Sequence, residues 1–491
     1  MKRLVITTLI SLFAIPTSAS AGARVGGYAR VMARPDLQGG SGRLGYWNLY
    51  GRLLNEGPYA NLDFNYDILE PKVDALTPWT TVHMRVEGGS IGGTDPGNGR
   101  LDNFRLSQLH ILAGNVLLND VTWQVGTLES TMGDLGLYDM RPAQIFHETV
   151  GMSARYQQGR SDLLLGIGDS GYTIRGDRYN PILTAGGSLR VGLGDHVQIG
   201  LGGQWMFEPG VEGNVHAPYN TPELMYEDWI REEVIQSFRA NHPIQADRFP
   251  DPRPTSADSG HAFGYMGFGD LGPIKWNSTY LRWQQFHPEG PSSETWNAET
   301  EDIHVTALTD ERSMLMIGNE MTVDIVPGTL DMAWGVLYGN HQDGDNDILP
   351  SDHDREYAST VLRLQTALSR TMAILTESSL AHEWSRNGNV YREHSDSIFA
   401  NTNGVADARG LERGDSDTRI TWQGKAGLIL NPLGPGIASR PSLRFLYGAQ
   451  HSNENNAFSN QFVTTLDQYN EFGNVEQHWH HILALEAEAW F

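Results

Sequence analysis

The chain has 491 residues with no cysteine, 55 glycines, 59 acidic against 35 basic side chains, and a formal net charge of −24. The absence of cysteine excludes disulfide scaffolds and thiol-dependent sites, and the acidic excess argues against a nucleic-acid-binding protein, which needs basic surface to neutralise phosphates. Glycine at this level without a collagen-like period indicates many turns and small strand positions, so an all-β fold is expected.

The first 21 residues resemble a signal peptide. Met1-Lys2-Arg3 is a cationic start, Leu4 to Ile15 is apolar, and Ala19-Ser20-Ala21 is a small-x-small cleavage site. The alternative is a membrane anchor, but the apolar run is shorter than the roughly 20 residues that a spanning helix needs. We therefore expect export, with removal of residues 1–21 and a mature chain of residues 22–491.

Alternating apolar and polar residues recur along the mature chain. A membrane β-barrel strand alternates lipid-facing and lumen-facing side chains over roughly 10 positions, which hides it from a hydropathy average. The segments that predict strands are 42–54, 59–68, 197–207, 274–286, 314–325, 330–338, 357–368, 420–430 and 441–449. Tight connections such as Gly194-Asp195 and Leu433–Gly436 lie among longer polar ones. With about 26 to 29 residues per strand and connection, the chain suits a barrel of 16 to 18 strands, large enough for an aqueous channel.

One segment breaks this pattern. Thr221-Pro222-Glu223 is a good helix start, and an apolar residue follows at every fourth position from Tyr226 to Phe238. The sequence predicts a short helix inside a long loop, residues 208–260. Two alternatives stay open: a surface loop packed on its own stem, or a loop that covers the barrel mouth or a neighbouring subunit.

The C-terminal segment predicts a closing strand. Successive strand side chains point to opposite faces, and the odd-numbered positions from Leu483 to Phe491 are all apolar, whereas Glu486 and Glu488 share the other face with Trp490. A final strand with this pattern and a terminal aromatic residue is typical of bacterial outer-membrane barrels, in which the last residue is an assembly signal. The alternative is an amphipathic strand of a periplasmic sandwich.

Motifs near both ends resemble the maltoporin family of sugar-specific porins. They are Gly27-Tyr28-Ala29-Arg30, Arg43-Leu44-Gly45 with Tyr50, Phe104-Arg105, Trp123 with Gly126, Ser439–Phe445 with Tyr447, and Trp490-Phe491. The resemblance covers roughly the first 120 and the last 75 mature residues and is diffuse between them.

The resemblance implies an all-β, transmembrane antiparallel β-barrel of 18 strands, with long extracellular loops, that forms a homotrimer. It also implies passive, saturable diffusion of oligosaccharides along a row of aromatic rings, the slide, beside a polar track. The residues at the matching slide positions are Tyr28, Tyr50 and Trp490. The polar track would include Arg30, Arg43, Arg105, Glu486 and Glu488, with Arg52 where the family has an acid.

Side-chain parity supports lumen placement independently of the family. Tyr28 shares its face with Arg30, Tyr50 with Arg52, and Trp490 with two glutamates, so each ring falls on a polar face if its segment is a strand. Lipid-facing placement would put an arginine in hydrocarbon at a cost of roughly 2 to 4 kcal/mol. The alternative for these rings is a girdle at the membrane interface.

Two departures from the family weaken the sugar hypothesis. The segment from Gly126 to Asp139 is shorter than the family's constriction segment and lacks its arginines, and Ala438 stands where a slide tryptophan would lie. A wider pore, another sugar, or a general or cation-preferring porin are therefore alternatives, since an acidic chain favours cations and neutral solutes. A barrel enzyme or an adhesin acting through long loops is the alternative from another class.

Three further groups of residues resemble metal or hydrolase sites only weakly. Asp343, Asp345, Asp347 and Asp354 are spaced like a calcium loop, but Ile348 stands where glycine should, so a solvated loop is expected. His478 and His480 could bind a metal at a wet rim, and residues 351–354 could belong to a hydrolase; neither is favoured. We expect no catalytic activity, metal or cofactor.

The sequence therefore predicts a barrel in the outer membrane of a Gram-negative bacterium. Its expected partners are an oligosaccharide substrate, outer-membrane lipid and lipopolysaccharide, and the barrel-assembly machinery, which Phe491 would engage.

Overall fold

A computed structural model describes residues 22–491 apart from 36, 38–43, 46–47, 71–76, 90–103, 147–148, 172–180, 209–256, 287–311, 344–354, 386–417, 435 and 454–477. The signal peptide, the helix predicted within 208–260 and most of the acidic loop lie outside the described residues. No helix among those described is long and apolar enough to cross a membrane.

The chain forms a closed antiparallel barrel of 18 strands, which confirms the predicted fold class. The strands are β1 (Ala23–Ala33), β2 (Tyr59–Leu69), β3 (Trp79–Gly89), β4 (Arg105–Gly114), β5 (Val121–Leu128), β6 (Thr149–Gln158), β7 (Ser161–Asp169), β8 (Leu183–Leu193), β9 (Val197–Glu208), β10 (Ala257–Leu271), β11 (Ile274–Phe286), β12 (Arg312–Val326), β13 (Leu330–Asp343), β14 (Arg355–Ala367), β15 (Met372–Ser385), β16 (Thr418–Leu430), β17 (Ser442–Ser452) and β18 (Trp479–Trp490). Each strand pairs with the next, and β1 pairs with β18, so the sheet has no free edge.

The strand directions sort the connections into two groups. The start of β1 and the end of β18 lie at one end of the barrel, where the connections between strands have two to eleven residues. At the opposite end the connections have 11 to 48 residues. Short periplasmic turns and long extracellular loops are the arrangement of outer-membrane barrels, so we assign the end with the short connections to the periplasm.

The outer face of the barrel is apolar. On β7, Leu163, Leu165 and Ile167 are exposed, whereas the alternate residue Leu164 is buried in the interior. An exposed apolar band around a closed, hydrogen-bonded sheet is the surface that a barrel presents to the hydrocarbon of a membrane. The protein is therefore a transmembrane barrel of the Gram-negative outer membrane.

The ends of the chain close the barrel by close backbone contact. Gly27 N donates to the Phe491 carbonyl at 2.9 Å, and Phe491 N donates to the Gly27 carbonyl at 3.1 Å. A Cβ at Gly27 would lie 2.5 Å from the Asn61 carbonyl oxygen and 2.7 Å from Cζ of Phe491. Glycine is required here because the terminal ring lies directly over the β1 backbone.

Two connections from the extracellular end fold into the lumen. Segment A (residues 44–56, with a 3₁₀ turn at Asn48–Tyr50) and segment B (residues 129–146) contain seven of the nine largest fully buried side chains among the described residues. Leu49, Tyr50, Leu135, Tyr138 and Phe146 form an apolar cluster against lumen-facing residues of the wall. The barrel is thus partly filled by its own chain.

Segment A corrects one predicted strand. The sequence predicts a strand over 42–54, but residues 48–50 form a 3₁₀ turn and the described residues around it are irregular. Gly51 (φ 84°) and Leu54 (φ 65°) adopt left-handed backbone conformations that a strand excludes. Its leucines pack inside the barrel instead of facing lipid, since Leu44 and Leu54 contact an apolar cluster that includes Ile482. The other eight predicted strands coincide with observed strands to within a few residues.

Candidate solute pathway

The pairing of β1 with β18 brings the two ends of the sequence together on the lumen face. Tyr28 lies opposite Trp490, and Arg30 lies opposite Glu488. Even-numbered residues of both strands face the lumen, in agreement with the predicted parity. Whether these side chains contact a solute stays a prediction.

The two inward segments leave only part of the lumen open. Against β14 to β17 the lumen side chains are closed off, as the full burial of Gln423 and Gln450 shows. By contrast, Asn61 and Asp63 on β2 and Arg85 on β3 stay partly exposed. An open cavity of about 780 Å³ is lined by segments A and B, by β1, β2, β17 and β18, and by residues of β11 to β14. This cavity is the candidate solute pathway at its narrow part.

Three aromatic rings line one side of the cavity. The ring centre of Tyr28 is 5.9 Å from that of Tyr59 and 6.4 Å from that of Trp490. Tyr28 Oη donates to Glu488 at 2.7 Å and Tyr59 Oη donates to Glu87 at 2.9 Å, while Trp490 is 62% exposed. Sequence reasoning missed Tyr59, although it shares the polar face of β2 with Asn61.

Arg52 links segment A, segment B and the barrel wall. Its backbone N donates to the Leu137 carbonyl at 2.7 Å. Its guanidinium lies 3.2 Å from Glu56, 3.9 Å from Asp139 and 3.5 Å from Glu488. Although burial opposes the charge, these three carboxylates raise the pKa of Arg52 well above its usual value. Arg52 therefore remains a fixed cation at the edge of the cavity.

Glu56 and Asp139 bring two carboxyl groups together beside Arg52. The Arg52 guanidinium lies 3.2 Å from the Glu56 carboxylate and 3.9 Å from that of Asp139. Burial, together with the neighbouring Asp139, raises the pKa of Glu56 to about 7 against the pull of Arg52 and Arg30. Burial also acts to raise the pKa of Asp139, but the neighbouring Glu56 carboxyl and the arginine charges hold it below its usual value.

Several residues predicted for the polar track are buried in ion pairs and are not freely exposed to the cavity. Arg30, which pairs with Glu56, is 7% exposed, and Glu486 and Glu488 are 1% and 2% exposed. Glu486 is held by Arg34, and Arg440 Nε lies 2.7 Å from Glu488. Their burial corrects the expectation of a directly accessible track, because buried charges must pair within the protein. Arg52 is the predicted track residue with the clearest access to the cavity.

Tyr50 is not a slide ring in this structure. Its side chain is fully buried, its hydroxyl donates to Glu383, and its carbonyl accepts a hydrogen bond from Lys425 Nζ at 2.9 Å. Lys425 also pairs with Glu377 at 2.8 Å. The parity argument for Tyr50 was wrong because segment A is not a strand; Tyr50 anchors segment A to the wall.

The remaining candidates lie elsewhere or outside the described residues. Arg105 is an exposed residue at the extracellular end of β4, where it lies 3.0 Å from Glu87, and Arg43 is not described. His478 Nδ1 lies 3.0 Å from the Ser452 carbonyl, whereas His480 Nδ1 lies 3.0 Å from that of Leu44. Among the described residues there is no group of three or more His, Cys, Asp or Glu suited to a metal ion.

A second polar surface on β2 to β4 was not singled out from the sequence. Arg85 Nε donates to Asp63 at 2.7 Å, and the rings of His83 and His110 stack with centres 4.6 Å apart. These residues alternate with apolar ones along their strands, so parity alone assigns them to the lumen. Their mutual contacts depend on the register between strands, which the sequence pattern does not specify.

The comparisons with known proteins found structural likeness only. No family model matches the chain, and no curated protein matches it. The chain is similar to Acinetobacter baumannii OccAB1 (8% identity, TM-score 0.45, 96% of each chain covered) and to Pseudomonas aeruginosa OccK2, also called OpdF (10%, 0.43, 96% of this chain and 98% of that one). It is also similar to outer-membrane expressed OmpT of Vibrio cholerae (9%, 0.37, 97% and 100%).

Proposed function

We propose that the protein is a channel for passive diffusion of small hydrophilic solutes across the outer membrane. The observation that carries this proposal is the open cavity between segments A and B, whose lining contains seven cationic and seven acidic side chains. Balanced, mutually paired charges offer hydrogen bonds to hydrated solutes of either sign without a strong barrier to one of them. A channel rather than an enzyme is the function that this geometry supports.

The acidic charge of the chain supports a mild preference for cations at the extracellular mouth. The connections 90–104, 170–182, 209–256, 287–311, 344–354, 386–417 and 453–478 contain 32 acidic and 11 basic residues, a net of −21 out of −24. Charge at a channel mouth raises the local counter-ion concentration, and salt screens this effect over about 10 Å at 0.1 M. The preference for cations should therefore be largest in dilute salt.

Planar-bilayer recording tests this function. The refolded protein should give stable conductance steps in KCl, with a reversal potential that favours K⁺ in dilute gradients and approaches neutrality as the salt concentration rises. Absence of conductance from folded protein would contradict the proposal. A selectivity independent of ionic strength would contradict the role of the acidic connections.

Saccharide diffusion is a second candidate, favoured by the ring cluster Tyr28, Tyr59 and Trp490. Pyranose rings stack on aromatic faces and need hydrogen-bond partners for their hydroxyls, which the neighbouring Asn61 and Glu87 could supply. Concentration-dependent current block by maltodextrins or other oligosaccharides would support it, and unblocked channels would favour the general porin. We also propose that the protein forms a homotrimer, contacts lipopolysaccharide and engages the barrel-assembly machinery through Phe491.

A further inference from the structure

The periplasmic end of the barrel has one connection that is much longer than its strands require. Adjacent strands are joined there by Gly159-Arg160 and by Gly272-Pro273, whereas β16 and β17 are joined by residues 431–441. A two-residue turn is enough to close an antiparallel hairpin. Nine of the eleven residues of this connection, which we call segment C, are therefore more than the hairpin needs.

The second half of segment C folds into the lumen. Residues 436–440 line the same cavity as segments A and B, and Ile437 packs against the apolar cluster that those two segments form with the wall. Leu433, in the first half of segment C, is 75% exposed and lies outside this lining. The cavity is therefore bordered by connections from both ends of the barrel.

Hydrogen bonds within segment C give it a defined shape. Asn431 is buried; its Nδ2 donates to the Ser439 carbonyl at 2.8 Å, and its Oδ1 accepts from the Leu433 backbone N at 3.2 Å. Arg440 Nη1 also donates to the Ser439 carbonyl, at 2.9 Å. These bonds join the start of the segment to its end, so the inward half is held as a compact loop.

Arg440 holds this loop against the barrel wall. Its Nε lies 2.7 Å from the carboxylate of Glu488 on β18. Glu488 also pairs with Arg444 on β17 and accepts a hydrogen bond from Tyr28 Oη on β1 at 2.7 Å. Glu488 therefore keeps two partners on the wall when Arg440 is replaced, so the contact with Arg440 positions segment C and is not needed to pair the carboxylate.

We propose that segment C sets the upper size limit for solutes at the periplasmic end of the pathway, with Ala438 as the side chain that passing solutes meet. Ala438 is exposed within the lining of the cavity, and its single methyl group leaves space that a larger side chain would fill. Arg440 is the positioning residue, because it holds the loop against β18. This inference rests on the proposed channel function and adds to it the residues that select solutes by size.

The test is the swelling rate in a disaccharide relative to that in a pentose, measured on liposomes that contain the refolded protein. Replacement of residues 432–441 by Asn-Gly continues the register in which Leu430 lies opposite Leu443 and closes the hairpin with a favoured two-residue turn. This short-turn variant should raise the ratio several-fold. Ala438→Phe should lower it several-fold, because the added ring occupies part of the cavity.

Two controls separate a size limit from a general effect on the barrel. Leu433→Phe adds a ring to the same segment outside the cavity lining and should leave the ratio unchanged. Arg440→Gln releases the loop from Glu488 and should raise the ratio, whereas Arg440→Lys keeps a cation there and should retain it. Heat-dependent gel mobility measures the folded fraction of each variant, so that rates are compared for equal amounts of folded barrel.

The outcomes distinguish this inference from the channel function. If the folded, unmodified protein admits neither sugar, the proposed function fails. If it admits them and Ala438→Phe keeps the unmodified ratio, segment C does not set the size limit and the inference is overturned, whether or not the short-turn variant folds. A lower ratio in Ala438→Phe with an unchanged ratio in Leu433→Phe supports it.

Discussion

Arg52 shows how one side chain can join the elements that border the candidate pathway. Its guanidinium contacts carboxylates from segment A, segment B and β18, and its backbone binds segment B. From the sequence, Arg52 stood out only as a basic residue at a position where the maltoporin family has an acidic one. Its role as the link between two inward segments depends on their packing, which no local pattern encodes.

Replacement of Arg52 should widen the constriction and favour cations. Arg52→Gln removes the partner of Asp139 and leaves an exposed carboxylate at the cavity edge, so both single-channel conductance and the K⁺/Cl⁻ ratio should increase. Arg105→Gln, at the extracellular end of β4, is the matched control and should change both quantities less. Equal effects of the two substitutions would contradict a local role for Arg52.

The ring cluster predicts loss of saccharide block on truncation. Tyr28→Ala or Trp490→Ala should weaken block by oligosaccharides several-fold, because stacking of this kind contributes about 0.5 to 1.5 kcal/mol for each ring pair. Titration of the channel current with sugar measures the effect. Trp422→Ala removes an outward-facing tryptophan on β16 as a control. Unchanged block in the first two variants would eliminate the slide assignment.

Side-chain parity predicted correctly which residues of the regular strands face the lumen. It failed where the chain is not a strand. Tyr28, Arg30 and Trp490 face the lumen because β1 and β18 are regular and pair in register. Tyr50 does not follow the rule, since it ends a 3₁₀ turn and Gly51 and Leu54, which come after that turn, adopt left-handed conformations. An apolar side chain is removed from water both when it packs inside the barrel and when it faces lipid. Apolar content alone therefore cannot distinguish an inward segment from a lipid-facing strand.

At the scale of elements, segment A is anchored by a buried charge network. Lys425 Nζ donates to the carbonyl of Tyr50 and pairs with Glu377, which also pairs with Arg363. All of these side chains lie inside the barrel. The network ties the 3₁₀ turn of segment A to β14, β15 and β16.

Removal of Lys425 should loosen segment A. Lys425→Met breaks a buried pair and should cost about 3 to 5 kcal/mol, visible as a lower midpoint of unfolding in urea and as noisier, larger single-channel currents. The triple variant Lys425→Met, Glu377→Met and Arg363→Met removes all the charges of this network and should recover part of the lost stability. If the single substitution left stability and current noise unchanged, the anchoring role would be wrong.

Closure of the barrel depends on the small residue under the terminal ring. Gly27→Val would place its side chain against the Asn61 carbonyl and the Phe491 ring, so the β1–β18 seam should close poorly. The folded fraction, measured by heat-dependent gel mobility, should fall. Ala29→Val on the same strand face is the control and should fold normally; equal loss in both variants would show a general effect of bulk on β1.

At the scale of the whole molecule, charge and apolar surface are separated by position. The outer wall is apolar, the lumen contains paired charges, and nearly all of the net negative charge belongs to the long extracellular connections. Alternation and chain length predicted an outer-membrane barrel of 16 to 18 strands, and the resemblance to maltoporins at the two ends implied 18 strands. The folding of two connections into the lumen could not be predicted, because it depends on contacts between segments distant in sequence.

The central claim is that the partly filled barrel still offers a continuous path to small hydrophilic solutes. Swelling of liposomes that contain the refolded protein, in solutes of graded size, tests it most directly. The account predicts rapid swelling in monosaccharides and small polar solutes, with rates that fall steeply as the solute approaches the size of the cavity. Swelling no faster than that of protein-free liposomes, with the barrel folded, would contradict it.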